Sequence, residues 1–209
     1  MSTTDAQAQL YTVNFVNNSA NFGSAMLFQT DDSTQMTRMF SLAWFCRPVY
    51  PGNQAAFSWN LDYWFVSGIT GSLRPGVTFQ ISQVFPTSLN QNNQITFNQA
   101  GYGSYSFINP RTINPGQLSI VEDATITFGQ AAVGIGMSGS GTFVAQAMPN
   151  TNIAFAPQPK YWIAFGNYQT GEVLDTGMIN NRVEISFGAG QSSAVVTLNP
   201  NNTFSVSYS

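Results

Sequence analysis

Apolar and polar residues alternate one for one over much of this chain. Tyr11, Val13 and Phe15 alternate with Thr12 and Asn14, and Phe57, Trp59, Leu61, Tyr63 and Phe65 with Ser58, Asn60 and Asp62. Val77, Phe79 and Ile81 alternate with Thr78 and Gln80, and Phe204, Val206 and Tyr208 with Ser205 and Ser207. Side chains two apart in a strand share a face, so each run predicts a strand with one face in a core and one in water. Similar stretches predict strands at 24–30, 39–48, 95–99, 104–108, 118–121, 124–128, 141–147, 160–166, 183–188 and 193–198. No run has helical periodicity; 87–92 and 168–175 offer at most a short helical turn. Pro51-Gly52, Pro75-Gly76 and Pro115-Gly116 each precede an apolar run and predict type II turns, proline presetting φ and glycine supplying the positive φ. Asn199-Pro-Asn-Asn202 predicts a hairpin loop between the last two strands. These elements predict an all-β fold: a single-domain antiparallel β-sandwich of ten or more short strands over 10–209, after an N-terminal extension at 1–9.

Composition narrows the chemistry. The chain has 209 residues, no histidine and 7% charged residues, against roughly 25% in an ordinary soluble domain. Its polar positions are instead rich in amides, with 20 Asn and 16 Gln. Without histidine a Ser–His–Asp triad is impossible, and the commonest metal ligand is missing. Six scattered Lys and Arg against nine acids leave no basic patch for a phosphate backbone, so nucleic acid is not an expected partner. No apolar run reaches the ~18–20 residues of a membrane-spanning helix, and residues 1–10 lack the features of a secretory signal. The expected location is therefore cytoplasmic, or outside by a route the sequence does not display. Cys46 is the single cysteine and sits in an apolar run, which suits a structural thiol.

Several motifs carry possible chemistry. Gly134-Ile-Gly-Met-Ser-Gly139 spells a dinucleotide fingerprint but continues into strand-like sequence, so a glycine-rich strand or bulge approached by other backbone explains it better. No cofactor is expected. The pairs Asp31-Asp32 and Glu122-Asp123 read as solvated turns, with calcium binding or acid–base catalysis as alternatives. Aromatic rings beside amides could form a sugar platform: Trp44, Trp64, Asn60, Asp62, Trp162 and Tyr168 are its candidates. Strand edges are normally guarded by charge, above all lysine, and Lys160 is the only lysine.

Val16-Asn-Asn-Ser19, Gln29-Thr-Asp31, Ser41-Leu-Ala-Trp-Phe45, Gly134-Ile-Gly-Met-Ser-Gly-Ser-Gly-Thr-Phe-Val144 and Tyr161-Trp-Ile-Ala-Phe-Gly-Asn-Tyr168 resemble segments of the RhiA-like bacterial proteins. The resemblance runs from about residue 10 to the end of the sequence. It implies an abundant cytoplasmic protein without an established enzymatic role, and supplies no functional residues. The leading expectation is a non-enzymatic, self-associating structural or storage-like protein, forming an oligomer, filament or intracellular crystal. A carbohydrate-binding module is the alternative, and an enzyme relying on Asp31, Asp62, Glu122 or Asp123 ranks third.

Overall fold

The alternating runs become strands, and their two faces become two layers. The computed structural model describes residues 9–31 and 39–209, in which seventeen strands form four sheets. One sheet has the order β17 (Phe204–Tyr208), β16 (Ser193–Leu198), β1 (Tyr11–Asn17), β5 (Gln54–Trp59). It faces a second: β15 (Arg182–Ile185), β14 (Lys160–Gly166), β2 (Gly23–Thr30), β4 (Ala43–Val49). A third runs β3 (Met39–Ser41), β12 (Ser140–Gln146), β11 (Ala131–Met137), β6 (Tyr63–Ile69), β7 (Gln83–Thr87). The fourth is β13 (Thr151–Phe155), β10 (Leu118–Glu122), β8 (Gln94–Gly101), β9 (Ser104–Arg111). Residues 39–49 pass from β3 to β4 and so join the second and third sheets side by side.

One core draws on all four sheets, including Phe15, Leu27, Trp44, Trp59, Phe65 and Phe97. Burying each such side chain contributes roughly 1.5–3 kcal/mol before entropy is counted. The joined sheets also bury their other face, because residues 70–82 and 167–181 lie across it. Met26, Phe28 and Ala43 pack there against Leu174 and Ile179, and Val66 and Val144 against Phe79 and Val173. The two covering segments hydrogen-bond to each other, Val173 N–H to Val77 and Phe79 N–H to Gly171.

Several expectations need correction. The 57–65 run is two strands: β5 ends at Trp59, the chain crosses layers at 60–62 with Leu61 exposed, and β6 begins at Tyr63. Val77–Ile81 belong to the covering segment, with a single bridge at Thr78, so alternation there reflects burial against a sheet rather than membership of one. Residues 124–128 are turns with Ile126 buried, and the helical turn falls at Thr176–Met178. β7 and β13 were not predicted. The sheets are not wholly antiparallel, since β1 pairs parallel with β16 and β10 with β8.

The Pro-Gly turns hold as expected, with φ of +77°, +84° and +94° at Gly52, Gly76 and Gly116. The fingerprint-like glycines lie in the β11–β12 hairpin, where no helix exists to receive a pyrophosphate. A Cβ on Gly134 would sit 1.9 Å from the Phe143 carbonyl oxygen, so close backbone approach is what excludes a side chain. Asn93 is fully buried: its amide donates to the Asn114 and Gln117 carbonyls at 3.0 and 3.1 Å and accepts from Ile113 N–H at 2.8 Å. Among the described residues no helix is long and apolar enough to cross a membrane.

Candidate functional site

The six platform residues do not form one surface. Trp44 is in the core with no exposure, and its Nε1 donates to the Met137 carbonyl at 3.0 Å. A bulge opposite Leu27 and Phe28 turns it inward beside Phe45, which removes it from any platform. Asn60, Asp62 and Trp64 do come together, but they satisfy one another. Asp62 accepts from Trp64 Nε1 at 3.3 Å and from Ser138 N–H and Oγ at 2.9 and 3.0 Å. Asn60 N–H donates to Ser138 Oγ at 2.9 Å, so the cluster clasps the 60–62 crossing to the β11–β12 turn. Trp162 lies elsewhere, its Nε1 donating to Thr30 Oγ1 at 2.9 Å and one ring face covered by the Arg182 guanidinium at 4.6 Å. Tyr168 packs on that same sheet face, where burial, then the charges of Glu172 and Cys46, push its hydroxyl pKa up.

The acidic pairs also separate. Asp31 accepts from Gln158 N–H at 3.4 Å, and Asp32 lies outside the described residues. Glu122 is buried rather than solvated, accepting from Met148 N–H at 3.3 Å and from the Thr151 hydroxyl. Asp123 instead caps a turn by accepting from Thr125 N–H at 2.9 Å. Among the described residues no three His, Cys, Asp or Glu side chains lie close enough to hold a metal ion. Cys46 is half-buried, and burial raises its thiol to about 12, opposed by a hydrogen bond with Thr170 and reinforced by Glu172.

One concavity was not singled out by the alternation. A cleft of about 670 Å³ opens where β2 begins and β14 and β16 end, lined by Asn21, Phe22, Gly23, Phe165, Asn167, Asn181, Asn202 and their neighbours. Four asparagines reach it from three connections, Asn167 and Asn181 from the two ends of the 167–181 segment, and among the described residues no charged side chain lines it. Asn21 Nδ2 donates to Asn202 Oδ1 at 2.9 Å, and Asn181 Nδ2 to the Asn202 carbonyl at 3.2 Å. Those bonds leave Asn21 Oδ1, Asn181 Oδ1, Asn202 Nδ2 and the whole Asn167 amide for a ligand. Phe22 stands at the rim, 59% exposed, its ring 4.4 Å from that of Tyr50, itself 60% exposed. Gly23 keeps the floor low, since a Cβ there would meet the Phe165 ring at 2.9 Å.

A buried amide sets this rim. Asn17 ends β1 without exposure; its Nδ2 donates to the Asn21 carbonyl at 2.8 Å and the Val49 carbonyl at 3.2 Å. Its Oδ1 accepts from Ser19 N–H at 3.0 Å and Ser19 Oγ at 2.7 Å. One side chain thus fixes the loop bearing Asn21 and Phe22 and the strand end next to Tyr50. The legible signal was the clustering of Asn at 17–21 and 199–202; that the two meet is set by β1 pairing with β16.

The comparisons concern the whole chain. No solved structure matches it. It is 37% identical over 206 residues to "Protein RhiA" of Rhizobium leguminosarum bv. viciae, covering 96% of this chain and 87% of that protein. The RhiA family profile matches residues 8–209, the whole sandwich. This chain belongs to the RhiA family.

Proposed function

We propose that the asparagine-lined cleft binds a neutral carbohydrate. What carries this reading is the convergence of four amides and the exposed ring of Phe22, backed by Tyr50, on one uncharged concavity. Amides give and accept hydrogen bonds with hydroxyl groups without an ion's desolvation cost, while rings such as Phe22 pack on the C–H faces of a sugar. Among the described residues no carboxylate lines the cleft, so it offers no general acid or base and supports binding rather than hydrolysis. The test is a glycan array followed by calorimetry on the best neutral binder, for the wild type, Phe22→Ala and Asn167→Ala. The reading expects each substitution to weaken binding at least tenfold, about 1.4 kcal/mol, with the melting temperature unchanged. Absence of binding across the array at millimolar sugar, or binding indifferent to both changes, defeats it.

A second reading, self-association into an oligomer or filament, draws support from β17. It is an edge strand carrying neither proline nor charge, in a protein whose surface charge gives little mutual repulsion.

A further inference from the structure

Three edge strands are blunted by proline: Pro48 in β4, Pro86 in β7 and Pro110 in β9. β15 carries Arg182 and Glu184, and β3 is only three residues long. These are the usual guards against edge pairing. β5, β13 and β17 have none of them. β17 differs from the other two because its sequence, Phe204-Ser-Val-Ser-Tyr208, is symmetric in character about Val206.

Its hydrogen bonding is equally specific. Ser209 and Ser193 exchange both backbone bonds, at 3.0 and 3.3 Å, and Asn199 N–H donates to Thr203 at 2.8 Å. Alternation along an antiparallel ladder then directs the backbone groups of Ser205 and Ser207 at β16. Those of Phe204, Val206 and Tyr208 point away, at the open edge, and among the described residues no other backbone hydrogen bond engages them. The Phe204, Val206 and Tyr208 side chains lean on the core, while Ser205 and Ser207 are exposed.

We infer that two copies of this chain pair antiparallel through β17 with Val206 on the two-fold axis. Val206 then exchanges both backbone bonds with Val206 of the second copy, and Phe204 does so with the second copy's Tyr208. Every outward N–H and C=O finds a partner. On the core face Phe204 lies across from the second copy's Tyr208; on the wet face Ser205 lies across from its Ser207. Such aromatic and hydroxyl pairs are favourable cross-strand neighbours. A self-complementary patch is what a two-fold, isologous contact requires. The sheet β5-β1-β16-β17 would continue unbroken into its copy. Five residues of edge bury far less than the roughly 1,200 Å² of a standard stable interface, so association is weak and concentration-dependent.

This inference rests on the self-association reading, and the test separates the two. Sedimentation velocity from micromolar to millimolar protein compares the wild type with Val206→Pro and with Ser205→Lys/Ser207→Lys. Proline at 206 removes an outward N–H that β16 does not use, and the lysine pair sets like charges beside one another across the axis without touching the core. In a Cys46→Ser background, Val206→Cys adds a register probe, since only pairing centred on 206 brings the two thiols within disulfide reach. The inference expects a wild-type dimer, a monomer for the lysine pair and for folded Val206→Pro, and a covalent Val206→Cys dimer under mild oxidation. A wild type that is monomeric throughout overturns both the reading and the inference. A dimer that survives the lysine pair, or a Val206→Cys variant that never cross-links, keeps self-association but overturns β17 as its site.

Discussion

Replacing Asn17 with alanine tests whether the cleft rim is built from the inside. The side chain makes four hydrogen bonds, to the Asn21 and Val49 carbonyls and from Ser19 N–H and Oγ. After truncation the Asn21 carbonyl can turn to water, because Asn21 is exposed, and the Ser19 hydroxyl can reorient. Ser19 N–H and the Val49 carbonyl cannot, since Ser19 and Val49 are 3% and 1% exposed. Two stranded buried groups at ~1–3 kcal/mol each place the cost at about 4 kcal/mol. That is a large share of the ~5–15 kcal/mol that holds a domain folded. Urea denaturation reads it as a lower midpoint at unchanged slope. Where the variant is still folded, sugar binding should also weaken, although Asn17 does not line the cleft. A loss below about 1 kcal/mol would refute the hub argument, and full stability with lost binding would show Asn17 touching ligand directly.

Other expectations follow from single observations. Gly134→Ala places its Cβ 1.9 Å from the Phe143 oxygen, so the β11–β12 pair must part; a cost above ~3 kcal/mol is expected, and a variant that melts with the wild type contradicts the close approach. With no histidine, stability should be flat between about pH 6 and 8. At higher pH the sign is set by Cys46 and Tyr161, raised by burial from 9.0 and 10.0 to about 12 each. The unfolded chain loses these protons first, so their contribution is complete below pH 9 and is lost as pH climbs toward about 12. Urea midpoints that stay constant into that range would sink the assignment, and Cys46→Ser should flatten its lower part. The same burial makes Cys46 slow toward iodoacetamide at pH 8 in the folded protein and fast in urea; equal rates would place the thiol in water.

Strand content was legible because alternation reports which side of a segment is buried. It could not report what does the burying. Val77, Phe79 and Ile81 alternate like a strand, but Phe79 and Ile81 do so because they meet the outer face of a sheet, and only the backbone bonds reveal a covering segment. In the 57–65 run an uninterrupted period of two hid a passage between layers, since β5 and β6 bury the same parity of residue into one shared core. Amide richness alone suggests a polar surface, yet Asn17 and Asn93 are buried hubs, the first tying Ser19 and Asn21 to the end of β4 and the second holding the 113–117 turn. The sugar platform failed at Trp44 for a related reason: one bulge rotates a side chain through the sheet, and bulges leave no mark in hydrophobic patterning. The cleft was illegible because its asparagines come from three connections that only the sheet order brings together.

The cleft and the open edge are linked through one turn. Asn202 lines the cleft and lies four residues before Val206 on the way into β17. Antiparallel pairing about Val206 therefore sends the two Asn202 turns to opposite sides of the axis. At about 3.3 Å per residue they would stand roughly 26 Å apart, giving a dimer with two separated sugar sites. A neutral amide cleft that is open to solvent binds one sugar weakly, and weak sites gain most from being paired on a dense surface. Bivalent engagement can raise apparent affinity by about 10²–10⁴ without any new contact, provided both sites reach ligand together. Breaking the edge with Ser205→Lys/Ser207→Lys should thus leave calorimetric affinity for a soluble, monovalent sugar unchanged while reducing retention on a glycan-coated surface on the order of 10²-fold. Phe22→Ala should reduce both. If the lysine pair leaves surface retention intact while the wild type is dimeric, the two clefts do not reach a common surface, and the edge serves assembly alone.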